Sequence, residues 1–221
     1  MEPEIPALSP VHLRGHSRRM ESAPTDLLAL SREIKGIAET GLRYGDNDFD
    51  RERYKRLHQI ASELMVSHLP DFRWPVELGY PTPKLDARAA VIDDGRILLV
   101  REATNGLWTL PGGWTDAGHT PAENAVREVK EESGYEVEAT KLIAVWDKTR
   151  HDHPPEPEYA YKMIFACRLL GGEPQTDHEI LELGWFAPDD LPEMCPHRAS
   201  PDYVHLAFRH HADPSLPTEF D

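Results

Sequence analysis

Between Thr120 and Gly134 the chain specifies a helix at both ends, and what lies between those ends constrains the fold more than any other stretch. Thr120 is placed to cap the first turn. Pro121 presets φ at the first helical position, and Glu123 completes a capping box by reaching back to the cap amide. Gly134 stands where a left-handed residue closes a helix. The spacing predicts a short helix over about Pro121 to Ser133, carrying Glu128, Glu131 and Glu132 at i, i+3 and i+4 on one face. Three like charges so placed repel one another and destabilise an isolated helix. A divalent cation among them offsets the repulsion, and a carboxylate donor set suits Mg2+ or Mn2+ rather than zinc. The competing account needs no metal: a solvated face on which Glu131 pairs with Arg127 one turn earlier. The preceding loop favours the metal. Gly112, Gly113 and Gly118 let the backbone approach a ligand closely, and the helix N-terminus adds N–H donors and partial positive charge. A diphosphate at this junction meets amides and metal together.

The flanking sequence predicts one α/β domain behind a helical region. Residues 1–24, rich in Pro, Ser, Arg and His, read as a flexible leader, with Met20 as an alternative start. Over 25–70 two amphipathic helices are expected. In the first, Thr25 is the expected N-cap, Leu27, Leu30, Ile34, Ile37 and Ala38 form an apolar stripe, and Gly41 and Gly45 end it. The second runs from about Asp48 to His68 with Tyr54, Leu57, Ile60, Ala61, Leu64 and Met65 on one face. Such stripes must be buried on each other, on the next domain or on a second subunit. Pro70, Pro75, Pro81 and Pro83 mark a linker. From 84 to 212 strands are expected at 87–92 and 97–100 around an Asp93-Asp94-Gly95 turn, then at 107–110, 137–146, 159–170 and 182–186. A last helix near 201–211 carries Tyr203, Leu206 and Phe208. The pattern is that of an α/β/α sandwich with a mixed β-sheet.

Composition narrows the partners. A net charge of −15 over 221 residues argues against salt-driven binding to duplex nucleic acid, but not against small phosphorylated substrates beside a metal. No apolar run approaches a membrane span, and the N-terminus lacks the apolar core of a signal peptide. Two cysteines, Cys167 and Cys195, make no disulfide framework and fit a reducing cytoplasm; Cys167 lies in an apolar run and is expected to be packed. His151-Asp152-His153 is either a metal-binding cluster or a polar loop.

Gly113, Arg127, Glu128, Val129, Glu131, Glu132, Gly134 and Tyr135 together resemble the signature of the Nudix hydrolases, which cleave nucleoside diphosphates linked to another moiety. The stretches Ile34–Leu42 and Asp50–Tyr54 resemble the N-terminal helices of a bacterial subgroup that includes ADP-ribose and CDP-choline pyrophosphatase-like enzymes. The resemblance covers roughly 25–210 and implies Mg2+-dependent cleavage of a diphosphate to a nucleoside monophosphate and a phosphorylated moiety, with Mn2+ able to substitute. It implies metal binding by Glu128, Glu131 and Glu132, with Arg127 in the catalytic set. His119 stands where the family has a glutamate that pairs with the signature arginine; Asp116 is the expected substitute.

On that basis Glu128 is the first choice for a ligand that also activates water, and Glu179, in the loop before the last sandwich strand, is the second choice of base. Arg88 or Arg101 is expected to hold phosphate, the alternative for Arg88 being a charge on the solvent face. Trp108 or Trp146 stacks a base or belongs to the core, and Asp147 and Lys148 end a strand that faces the cleft. Gly112 and Gly113 bring backbone to the substrate. A homodimer through the N-terminal helices is expected. Two other functions compete: a ligand sensor on the same fold, and a 3′ exonuclease acting on short RNA.

Overall fold

The structure is a computed structural model that describes residues 26–67, 69, 72, 74 and 80–221. The leader 1–24, the Thr25 cap, His68 and the linker residues Pro70 and Pro75 lie outside the described residues. Strands β1 (Lys84–Asp93) and β2 (Arg96–Glu102) form a hairpin. Its turn requires two left-handed residues, Asp94 (φ 45°) and Gly95 (φ 70°). Then come β3 (Trp108–Thr109), β4 (Gly112–Trp114), helix α3 (Pro121–Ser133), β5 (Tyr135–Asp147), β6 (Ala160–Gly172), β7 (Ile180–Phe186), α4 (Pro201–Ala212) and β8 (Glu219–Phe220); α1 and α2 precede them. The sheet runs β3-β2-β1-β6-β5-β8, with β4 added to β1 and β7 to β2. It is mixed, because β1–β6 and β5–β8 are parallel and the other pairs antiparallel.

On one edge, β1 pairs with β4 over Asp86–Arg88 and with β2 only at Ile92–Asp93. The sheet forks there, and the glycine segment enters the fork as strand β4 rather than as the loop its composition predicts. Side chains alternate along β1. Ala87, Ala89 and Val91 pack with Ala125 and Val129 of α3, whereas Ala90 joins Ile97, Ile143, Ile164, Tyr203 and Leu206 on the α4 side. Each large apolar side chain buried in these layers contributes about 1.5–3 kcal/mol. Helices therefore cover both faces, as the α/β/α reading requires.

Helix α1 (Leu27–Tyr44) packs on α2 (Asp48–Val66), but of the expected stripe only Ala38 is buried. Ser31, Lys35, Ala38 and Glu39 are the buried residues of α1, while Leu30 is 43% and Ile37 53% exposed. Small and polar groups suit the close approach: Ser31 donates to the Ala61 carbonyl at 2.6 Å, and Lys35 pairs with Glu39 at 2.8 Å. Gly41 continues the helix rather than ending it, since a Cβ there would lie 2.4 Å from the Tyr54 ring. Gly45 caps the helix as expected, and Asp26 is the N-cap, accepting from the Ala29 amide at 3.0 Å.

Candidate active site

Helix α3 has the ends that its sequence specifies. The Glu123 amide donates to Thr120 Oγ1 at 3.2 Å, the Thr120 amide donates to the Glu123 carboxylate at 2.9 Å, and Gly134 has φ 75°. A second contact locks the helix to the glycine strand: the Gly112 amide donates to Glu132 Oε2 at 3.0 Å. Gly112 has φ 129°, and a Cβ there would meet the Ala87 carbonyl oxygen at 2.1 Å, so no other residue fits. Gly113 has open space around it.

The three carboxylates are treated differently. Arg127 donates through Nη1 to Glu131 at 2.6 Å, and through Nη2 to Glu128 at 2.6 Å, Asn124 at 2.9 Å and Asp116 at 3.0 Å. Arg127 thus relieves much of the repulsion that the spacing alone ascribes to a metal, and the Glu131–Arg127 pair of the metal-free account is present. Glu132 turns instead into the fold. Burial pushes its carboxyl up to about 8, against the opposing pull of Arg88 and the Gly112 amide. Burial also raises Glu128, opposed by Arg127 and reinforced by Glu131.

Among the described residues no three His, Cys, Asp or Glu side chains converge as a metal cage. The donor chemistry nevertheless fits an oxygen-seeking divalent ion. Glu128 and Glu132 lie one turn apart, and both are driven up by desolvation, an effect that a cation's charge reverses. Asp116 occupies the arginine-pairing role left open by His119, whose side chain is exposed.

The other candidates scatter. Arg88 is neither on the solvent face nor open to phosphate: at 1% exposure it donates to Asp86 at 2.8 and 3.1 Å and to the Leu110 carbonyl at 3.0 Å. It supports the turn into Gly112 and contributes positive potential at Glu132. Arg101 staples the β2–β3 turn, donating to the Gly106 carbonyl at 2.8 Å, and pairs with Glu182 at 3.4 Å. Trp108 packs edge-on against Phe186, and Trp146 is buried between His151 and Tyr203. Asp147 caps a 3-10 turn and accepts from Tyr159 at 2.7 Å. The Glu179 carboxylate lies 3.7 Å from His178 and, among the described residues, makes no bond to α3; Asp177 is the loop carboxylate that acts on Glu132. His151 and His153 separate, His151 to Asp221 and His153 between the Pro196 carbonyl and Tyr203, so the polar-loop reading holds. Cys167 is packed, its thiol pushed up to about 12 by burial.

The residues that sequence reasoning missed lie one row further along the fork. Asp86 pairs in register with Trp114 on one side and Lys162 on the other, and its carboxylate binds Lys162 at 2.9 Å as well as Arg88. The only signal for it was a pair of charges, Asp86 and Arg88, alternating with alanines in an otherwise apolar strand.

Comparison with known proteins agrees with this geometry. Residues 83–206 match the model described as the NUDIX domain, and residues 25–69 match one described as a UDP-X-like, N-terminal oligomerisation domain. A Bacillus subtilis (strain 168) protein named "Putative ADP-ribose pyrophosphatase YjhB" is 40% identical over 209 residues, spanning 91% of this chain and 100% of that protein. The crystal structure of an ADP-ribose pyrophosphatase from Streptococcus suis 89-1591 is 41% identical and covers 63% of this chain and 100% of its own, with a TM-score of 0.59. That of a UDP-X diphosphatase is 30% identical and covers 89% of this chain and 98% of its own, also with a TM-score of 0.59. With the capped carboxylate helix, the glycine strand and a match over more than half its length, the chain belongs to the Nudix family and is a Nudix hydrolase.

Proposed function

We propose that the chain hydrolyses the diphosphate of a nucleoside diphosphate linked to a second moiety, of the ADP-ribose type, giving a nucleoside monophosphate and the phosphorylated moiety. The observation that carries this reading is the Gly112–Glu132 bond, which sets a glycine strand against a buried carboxylate. Names of relatives support the ADP-ribose choice over CDP-choline. Glu128, Glu131 and Glu132 would hold Mg2+, or Mn2+ in its place. The ion would supply charge neutralisation on the diphosphate and a more acidic water. Arg127 orients Glu128 and Glu131, and Asp116 anchors Arg127. Glu128, which Arg127 orients and whose carboxyl burial raises, accepts the proton of the water that attacks phosphorus in line; Glu179 is the second choice.

We assign 25–70 to assembly and 84–212, extended by β8, to catalysis. The apolar residues that α1 leaves outward, Leu30 and Ile37, support a homodimer through the helical region. Ile37→Glu should convert dimer to monomer in sedimentation; an unchanged mass refutes the interface. Cys167 and Cys195 are free, which supports a cytoplasmic setting, and among the described residues no helix is long and apolar enough to cross a membrane.

The deciding experiment is a panel of ADP-ribose, CDP-choline, NADH, diadenosine polyphosphates and nucleoside triphosphates with Mg2+ or Mn2+, read by phosphatase-coupled phosphate release. ADP-ribose is expected to turn over fastest. Turnover of none would favour the sensor, and nucleotide release from short RNA alone would favour the exonuclease.

A further inference from the structure

A cavity of about 430 Å3 opens beside the fork, within the size range of small-molecule sites. Its floor is the row Trp114, Asp86, Lys162 on β4, β1 and β6. That row lies two residues along the ladder from the Arg88–Gly112 pair, hence about 7 Å from the amide that holds Glu132. A phosphate held beside Glu132 would bring a sugar attached to it within reach of this row. The walls add Lys148, Arg198, Glu156 and Glu158.

The chemistry of this wall is selective. It carries three cations, Lys148, Lys162 and Arg198, and three carboxylates, Asp86, Glu156 and Glu158. Most are paired: Lys162 with Asp86 at 2.9 Å, Lys148 with Glu156, and Arg198 with Glu102 at 3.1 Å. The formal charges cancel, so the cavity has no net attraction for a free anion. Each ammonium keeps donors beyond its one ion pair, and each carboxylate keeps lone pairs. A fixed wall of alternating donors and acceptors matches hydroxyl groups, which both donate and accept. A quaternary ammonium has neither function; it needs an aromatic cage, and Trp114 and the imidazole of His197, which is tied to Glu156 at 2.6 Å, are the lining's two rings, too few for a cage.

We propose that this cavity receives the pentose of the phosphorylated moiety and, by the same wall, disfavours choline. The proposal rests on the diphosphatase reading above and adds the determinant of what is linked to the nucleotide. Lys148 and Glu158 are its specificity residues.

The test uses the full chain with Mg2+ and calorimetric binding of ribose 5-phosphate, phosphocholine and inorganic phosphate. Ribose 5-phosphate should bind at least about tenfold more tightly than either other ligand, as expected for one or two net hydrogen bonds to charged groups. Lys148→Met and Glu158→Gln should each remove most of that advantage and leave phosphate binding unchanged. Should Lys148→Met fail to fold, Glu158→Gln decides, because Glu158 is only half-buried. Equal affinity for phosphocholine, or no effect of Glu158→Gln on ribose 5-phosphate, overturns the proposal. Turnover of ADP-ribose with a KM untouched by Glu158→Gln refutes the cavity and leaves the diphosphatase reading. Ribose 5-phosphate binding as described, with no turnover of any diphosphate, does the reverse.

Discussion

Two arginines organise the charge of this molecule from opposite faces of one strand layer, and they do so under different dielectric rules. Arg127, its side chain 32% exposed, gathers Asp116, Glu128 and Glu131 on the rim of α3. Arg88, 1% exposed, meets Asp86 and, through it, Lys162 inside the sandwich. Solvent screens the first cluster, so each of its pairs contributes at most about 1 kcal/mol, and it can rearrange around a ligand. The second is desolvated. Burial alone would raise Asp86, but Arg88 and Lys162 overcome it and hold the carboxyl far below the usual range. Lys162 is brought down to about 8 by the same burial. Charge at the rim is therefore available for chemistry, while charge in the fork fixes the backbone on which that chemistry stands.

Glu132 lies between the two clusters, bonded to Gly112 and acted on by Arg88, and it gives the largest expected effect. Glu132→Gln should lower kcat/KM by about 10³–10⁴-fold while leaving the melting temperature at neutral pH no lower than wild type. Near-normal turnover would remove Glu132 from the site. Next comes the buried cluster. Asp86→Ala leaves two cations without their carboxylate and should cost about 3–5 kcal/mol in denaturant unfolding, whereas a loss below about 1 kcal/mol would make the fork cluster equivalent to the rim.

A pH series separates them further. In the metal-free protein the Glu132 carboxyl titrates near 8 when folded and near 4.5 when unfolded. The folded state keeps the extra proton between those values, so stability should fall as pH rises towards 8. His153, lowered by burial from 6.5 to about 4, acts in the opposite sense and only below 6.5, where acidification favours the unfolded chain. The slope between pH 6.5 and 8 should therefore be smaller in Glu132→Gln; an unchanged slope assigns it elsewhere. Smallest is the rim itself. Asp116→Asn should lower stability by less than about 1 kcal/mol, and His119→Glu should restore activity to that variant by giving Arg127 a carboxylate in place of Asp116. No rescue would mean that position 119 does not face Arg127.

The parts of the site that were legible in the sequence are those built by contacts within one turn of helix. Thr120, Glu123 and Gly134 act on neighbours three or four residues away, so the caps of α3 and the common face of its carboxylates follow from spacing. The exposed stripe of α1 shows the limit of the same reasoning. Periodicity locates Leu30, Ile37 and Ala38 on one face, but the buried face is turned so that it keeps Ala38, adds Ser31, Lys35 and Glu39, and leaves Leu30 and Ile37 outward. Arg101 and Trp108 stood at strand ends in sequence, and the pairing of β2 with β3 and β7 occupied them there, Arg101 with Gly106 and Glu182 and Trp108 with Phe186.

What the sequence by itself determined is the order of elements apart from β4 and β8, the mixed sheet between two helical layers, and a carboxylate helix joined to glycines, because local propensity and period act at short range. Only the tertiary structure decided that Gly112 holds Glu132, that Asp116 serves in place of a glutamate at 119, and that Asp86 and Lys162 form the floor of a cavity. Lys162 lies 76 residues from Asp86 in the chain (162 − 86), and their pairing exists only because β1 and β6 run parallel in the register that sets them side by side. Desolvation then makes the pairing obligatory, since neither charge tolerates burial alone.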